Sequence, residues 1–128
     1  MRLLLDTHVF LWWIGEDDQL PRPIWEAIGD PNNQALLSAA AAWEIVVKAG
    51  GGRLRLMEPP EELLPRGIDR ARLIMLPVEL RHVLRLASLP PIHADPFDRM
   101  LVAQALEDGL TLVTGDPVVQ SYGVDFIW

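Results

Sequence analysis

Short continuous apolar runs alternate along this chain with longer stretches in which apolar residues recur at helical spacing. Leu3-Leu4-Leu5 closes on Asp6-Thr7, the pattern of a strand buried on both faces of a parallel sheet. Thr7 to Ile14 continues as a helix with Gly15 as its stop, and a proline-led helix follows from Pro23 to Ile28, closed by Gly29-Asp30-Pro31. Ala35-Leu36-Leu37-Ser38 predicts a second strand. Ser38 caps a helix that begins at Ala39, carries Trp43, Glu44, Ile45, Val47 and Lys48, and ends in Gly50-Gly51-Gly52. From Arg53 to Arg72 the pattern weakens. Pro59, Pro60, Pro65 and Gly67 restrict that stretch to one or two short helices around Glu61 to Leu64 and Ile68 to Arg70. Arg72 to Leu76 reads as a third strand, Val78 to Ala87 as an amphipathic helix, and Leu110 to Thr114 as a fourth strand. A short helix after Asp116-Pro117 and an edge strand over Asp125 to Trp128 complete the chain.

The most strongly marked helix starts at Asp95, with Asp95 as N-cap, Pro96 at the first helical position and Asp98 at the third. Met100, Leu101, Val102, Ala103, Ala105 and Leu106 leave it little polar surface, so a buried helix closed by Gly109 is expected. Strands alternating with helices predict a doubly wound α/β fold: three layers, a mainly parallel sheet of four to five strands, and helices on both faces.

Length and composition narrow this picture. At 128 residues the chain is expected to form a single domain with a real core, and half its residues are apolar. No apolar run is long enough to span a bilayer, Asp6 and His8 interrupt the only stretch resembling a leader, and there is no cysteine. A cytoplasmic protein without disulfides or thiolate metal sites is the expectation. The net charge is −7, which taken alone argues against a nucleic-acid binder. The distribution qualifies it: nine of the eleven basic residues lie between Lys48 and Arg99, and Lys48 is the sole lysine. A basic middle in an acidic chain fits both a phosphate-binding surface and an ordinary solvated face.

Topology gives the acids their meaning. In such folds ligands bind outside the carboxyl ends of the strands, and the helices begin at that same rim. Asp6 ends the first strand, Asp116 follows the fourth, Asp98 lies in the first turn of its helix and Glu44 in the second turn of its own, with Asp95 close by. Singly, each acid has an ordinary role: Asp6 and Asp116 as caps, Asp98 as half of a capping box with Asp95, Glu44 as the i,i+4 partner of Lys48. Together they crowd carboxylates at a half-buried rim, where either some protonate or a cation neutralises them. An all-oxygen donor set favours a hard ion such as Mg²⁺ or Mn²⁺, which activates water and stabilises displacement at phosphorus. Thr7 and Thr114 stand beside acids as supporting hydroxyls. His8 and His93 match no zinc spacing, and Arg99 reads as a neighbour of Asp98 rather than a phosphate clamp.

These segments together resemble the PIN-domain family, and within it the VapC-type toxins of toxin–antitoxin systems. The residues that carry the resemblance are Leu3 to His8, Ser38 to Lys48 with Trp43-Glu44-Ile45, Gly52-Arg53-Leu54, Ile92 to Ala105, and Leu112 to Asp116. The His-x-Asp-Pro-Phe-Asp-Arg stretch at 93–99 is the most specific of them. The resemblance implies a Mg²⁺- or Mn²⁺-dependent endoribonuclease, a homodimer, and inhibition by a cognate antitoxin whose tail enters the active-site groove. It maps the family's catalytic and metal-binding acids onto Asp6, Glu44, Asp98 and Asp116, with Asp95 and Thr114 in support. Arginines of the middle region, Arg53 and Arg55 among them, together with Arg99, would then contact RNA. The chain departs from the pattern at Ala41, where relatives often carry a small hydroxyl residue. Two rivals stand beside this expectation: a catalytically silent PIN-like module within an antitoxin–DNA complex, and a phosphatase using Asp6 as nucleophile. The second lacks its usual Asp-x-Asp, since His8 occupies the second position.

Overall fold

The computed structural model describes residues 1–128. Five strands, β1 (Arg2–Leu5), β2 (Gln34–Ser38), β3 (Ile74–Leu76), β4 (Thr111–Val113) and β5 (Phe126–Ile127), form one parallel sheet in the order β3-β2-β1-β4-β5. Seven helices join them: α1 (Thr7–Ile14), α2 (Arg22–Gly29), α3 (Ala39–Gly50), α4 (Pro60–Arg70), α5 (Leu80–Leu86), α6 (Pro96–Asp108) and α7 (Pro117–Gln120). The doubly wound α/β architecture expected from the sequence is the one that forms. β1 explains why. Leu3, Leu4 and Leu5 are each 0% exposed, and because successive strand residues face opposite ways, both faces of the sheet must be covered. None of the helices is long and apolar enough to cross a membrane.

β1 is also where the strand order reverses. The chain steps outward from β1 to β2 and β3, then returns to lay β4 and β5 on the other side. The crevice of a doubly wound sheet opens at such a reversal, beyond the carboxyl ends of the flanking strands. Here those ends are Leu5, followed by Asp6, and Val113, followed by Thr114. The Asp6 N–H carries the ladder one step further by donating to the Val113 carbonyl at 3.0 Å.

α6 begins as its sequence dictates. The Asp95 carboxylate accepts the N–H groups of Phe97 (2.9 Å) and Asp98 (3.0 Å), and Gly109 closes the helix at a φ of 64°. Residues 101 to 105 are all buried, including Gln104, whose amide reaches the Pro77 carbonyl at 3.3 Å. At the far end of α6, Asp108 fastens α5: it pairs with Arg81 (3.0 Å) and meets Nε2 of the fully buried His82 (2.9 Å). The Arg81 guanidinium, with His82, holds the Asp108 carboxyl below the usual carboxylate range.

Two stretches differ from the sequence expectation. In place of one or two short helices between Arg53 and Arg72 there is one 11-residue helix, α4, with Pro65 inside it. Pro65 forfeits the bond its nitrogen would have donated to the Glu61 carbonyl, but burial of Leu64 and Ile68 against the core offsets that loss. Gly67 makes the docking close: a Cβ there would stand 3.3 Å from Cζ of Phe10 and from two carbons of Ile14 on α1. The third strand starts at Ile74 rather than Arg72, because Arg72 takes a φ of 53° in the reversal that ends α4. Its N–H donates to the Asp69 carbonyl and that of Leu73 to Ile68, both at 3.0 Å.

The α1–α4 contact yields a graded test. Gly67→Ala is expected to hold stability within about 1 kcal/mol, because better helix propensity counters a contact that needs only tenths of an ångström. Gly67→Leu drives a branched side chain into Phe10 and Ile14 and should cost about 1–3 kcal/mol. Urea unfolding midpoints of the two variants check the difference.

Candidate active site

Asp6 follows β1 in extended backbone, with φ −61° and ψ 152°, and its side chain does not cap α1. Its Oδ2 instead accepts the Thr114 hydroxyl at 2.7 Å, and the Thr114 oxygen accepts the Asp116 N–H at 3.2 Å. The ends of β1 and β4 are thereby tied across the crevice. Glu44, in the second turn of α3, is 3% exposed. Its Oε1 accepts the Thr7 hydroxyl at 2.6 Å, while its Oε2 pairs with the Lys48 ammonium one turn on. Asp98, in the first turn of α6, meets His93 Nε2 through Oδ2 at 3.1 Å. Asp116 caps α7 by accepting the Val118 N–H at 2.9 Å.

All five acids expected at this rim, Asp6, Glu44, Asp95, Asp98 and Asp116, line one cleft of about 410 Å³. His8, Val9, Trp12, Lys48, Gly115 and Trp128 complete its walls. His8 stacks on Trp12 at 5.9 Å, and Trp12 meets Trp128 at 6.2 Å, so one side of the cleft is aromatic. The Trp128 ring lies over the β4–α7 turn because residue 115 is glycine; a Cβ there would fall 2.6 Å from its Cζ2.

Some expectations change in detail. The capping of α6 is one-sided: Asp95 does it, and the Asp98 side chain turns to His93 instead. Thr7, at the start of α1, and Thr114, just past β4, are both buried and donate to Glu44 and Asp6. Arg53 and Arg55 are exposed and lie outside the cleft walls. Arg99 turns inward, donating from Nη1 to the Pro90 carbonyl and the Tyr122 hydroxyl, both at 2.9 Å. Arg66, Arg81 and Arg85 are paired with acids of the chain, which leaves Lys48 as the one Lys or Arg side chain in the cleft wall. The sequence signalled Lys48 only as the helical neighbour of Glu44, and gave no sign of Trp128 or of Tyr122 behind His93.

The donor set fits a hard cation held openly. Asp6, Asp98 and Asp116 each commit one carboxylate oxygen to a donor of the protein and keep the other over, whereas both oxygens of Glu44 are engaged. No three of the acids close tightly around one point. Mg²⁺ does not need them to, since it keeps several waters and is bound through one or two carboxylates plus substrate phosphate rather than in an all-protein cage.

Residues 3–124 match the PIN domain family model. The chain belongs to the PIN-domain family. Ribonuclease VapC22 of Mycobacterium tuberculosis is 32% identical over 122 residues, which cover 94% of this chain and 91% of that protein. Among solved structures, VapBC2 from Rickettsia felis bound to a promoter DNA fragment superposes with a TM-score of 0.76 at 16% identity, covering 100% of this chain and 99% of the other. DNA-bound VapBC from Salmonella typhimurium does so at 0.72 and 18% identity, covering 99% and 97%. These two likenesses concern the fold.

Burial is the largest influence on Asp6 and Asp98 in this PIN domain. It raises the Asp6 carboxyl, with Glu44 adding to the rise while Thr114 and His8 oppose it. It also pushes Asp98 up to about 6, with Asp95, Asp6 and Glu44 adding to the rise and the His93 hydrogen bond opposing it. Lys48 is raised, chiefly by its hydrogen bond to Glu44. Between the ordinary 3.8 of Asp98 and its folded value, the folded chain keeps a proton that the unfolded chain releases. Stability from this group therefore falls as pH rises from about 4 to about 6, and stays lower above that. In EDTA, urea unfolding should give lower stability at pH 7 than at pH 5. Asp98→Asn should shrink that difference and raise stability at pH 7 by about 1–3 kcal/mol.

Proposed function

We propose that this PIN domain is a Mg²⁺- or Mn²⁺-dependent ribonuclease that hydrolyses RNA phosphodiesters and is neutralised by a cognate antitoxin. One observation carries the reading: five carboxylates line a single cleft at the topological switch point, and all but Glu44 keep an oxygen free of protein donors. The relative named ribonuclease VapC22 supports the reaction class, and the two VapBC complexes support the kind of partner.

Asp6, Asp98 and Asp116 would hold the ion, with Glu44 joining as Lys48 yields, and Asp95 adding negative charge at the rim. Bound there, the ion would lower the pKa of a water and stabilise charge developing at phosphorus. The chain's own residues do the positioning. Thr114 orients Asp6 and Thr7 orients Glu44, each through a buried hydroxyl. Lys48 places one cationic group where a substrate phosphate enters an otherwise acidic cleft. Trp12, Trp128 and His8 offer flat faces on which an unstacked base can lie. The exposed Arg53 and Arg55 are available to more distant phosphates. The whole chain acts as one domain. A second copy would cover the exposed Trp43, Val46 and Val47 of α3 and Leu80 and Leu84 of α5, giving a homodimer.

Asp6→Asn and Asp98→Asn should each lower divalent-dependent cleavage of structured RNA by about a hundredfold or more, with the circular dichroism spectrum unchanged. EDTA should do the same to the wild type. Full cleavage by either variant would remove the site. Wild-type protein that neither binds Mn²⁺ in calorimetry nor cuts RNA would be the silent interaction module instead.

A further inference from the structure

Behind Asp98 lies a line of hydrogen bonds that reaches away from the cleft. His93 Nε2 stands 3.1 Å from Asp98 Oδ2, and His93 Nδ1 stands 2.7 Å from the Tyr122 hydroxyl. The Tyr122 oxygen in turn accepts Arg99 Nη1 at 2.9 Å. Tyr122 is 8% exposed, and its ring lies 5.4 Å from the imidazole and 5.8 Å from the Arg99 guanidinium carbon. Donor and acceptor chemistry gives the line a single direction. A guanidinium can only donate and an ionised Asp98 can only accept. A neutral His93 that donates from Nε2 to Asp98 therefore presents Nδ1 as an acceptor to the Tyr122 hydroxyl, whose oxygen takes Arg99 Nη1 and the His93 backbone N–H, the latter at 3.3 Å. A neutral imidazole that receives the hydroxyl hydrogen at Nδ1 must carry its proton on Nε2, aimed at Asp98.

We infer that Tyr122 and Arg99 are positioning residues: acting through His93, they fix one oxygen of Asp98 and leave the other turned to the divalent ion. This rests on the metal-dependent reading above and adds residues to it. None of the three touches the reacting atoms. Their effect is on the rotamer of Asp98 and on which tautomer of His93 faces it. Ligating carboxylates depend on such outer partners, whose loss weakens metal binding about 10- to 100-fold. The arrangement parallels the one at Asp6, where the Asp116 N–H donates to Thr114 and Thr114 donates to Asp6.

The test is Tyr122→Phe, which keeps the buried ring and removes the hydroxyl. On metal-free samples at about pH 8, where an ordinary imidazole is neutral, the ¹⁵N shifts of His93 report its tautomer; calorimetry on the same samples measures Mn²⁺ affinity. The wild type should show the Nε2–H tautomer. The variant should lose that preference and bind Mn²⁺ about tenfold more weakly. An unchanged tautomer or an unchanged affinity overturns the inference. If Tyr122→Phe does not fold, His93→Gln and His93→Leu decide: the amide can donate to Asp98 and should keep Mn²⁺ affinity within about threefold of wild type, whereas leucine should lose about tenfold. Equal affinities in that pair overturn the inference too. Wild-type protein that binds no Mn²⁺ overturns the metal reading itself, and the role assigned to Tyr122 with it.

Discussion

Five carboxylates share one cleft at the rim of a sheet, and their mutual repulsion is the constraint around which the local structure is arranged. Two like charges about 4 Å apart at an effective dielectric of 20 repel by about 4 kcal/mol, a large share of the 5–15 kcal/mol by which a domain is stable. The chain offsets this cost with donors. Thr114 and Thr7 give buried hydroxyls to Asp6 and Glu44, His93 gives a ring nitrogen to Asp98, and Lys48 gives a full positive charge. Asp95 and Asp116 accept backbone N–H groups at helix starts, where negative charge is favoured. Burial first, with the neighbouring acids adding to it, leaves the Asp6 and Asp98 carboxyls raised. A fold selected only for stability would not keep these groups together, and that is the physical argument for function at this place.

The sheet makes the crowding unavoidable. In a parallel sheet every strand ends at the same edge, and each connecting helix begins there. An acid one residue past β1, one three residues past β4, one in the second turn of α3 and one in the first turn of α6 are therefore neighbours by construction. The closeness of the backbones supplies the rest. Gly115 lets the Trp128 ring lie against the β4–α7 turn, and Gly67 lets α4 press on α1, the helix that carries His8 and Trp12 into the cleft.

This division explains which features could be read from the sequence. Asp6, Glu44, Asp98 and Asp116 were legible because each stands at a fixed offset from an apolar strand or a capped helix start, and the topology converts offsets into proximity. The extent of α4 was not legible. Local rules put breaks at Pro65 and Gly67, whereas packing of Leu64 and Ile68 on the core, a non-local term, carries the helix through. The partners behind Asp98 were equally hidden. His93 and Tyr122 are 29 residues apart, and Tyr122 belongs to the turn after α7, which no periodicity connects to α6. Arg99 could be seen beside Asp98, but only the position of Tyr122 shows that it points inward rather than toward a phosphate.

Glu44 differs from the other acids in having both oxygens engaged, and the identity of its cationic partner matters. An arginine at residue 48 would grip a carboxylate through a planar fork of two parallel bonds, and removing it would break both. A lysine pairs as a point charge on a flexible stem, with three equivalent hydrogens and no fixed plane. Ten of the eleven basic residues in this chain are arginines, and the one lysine stands in the acidic cleft. Its ammonium pairs with Glu44, and on the proposed function its stem would let it swing to a substrate phosphate without any change in the backbone of α3. On the proposed function, the same side chain would thus pair with Glu44 in the folded protein and release it to a divalent ion.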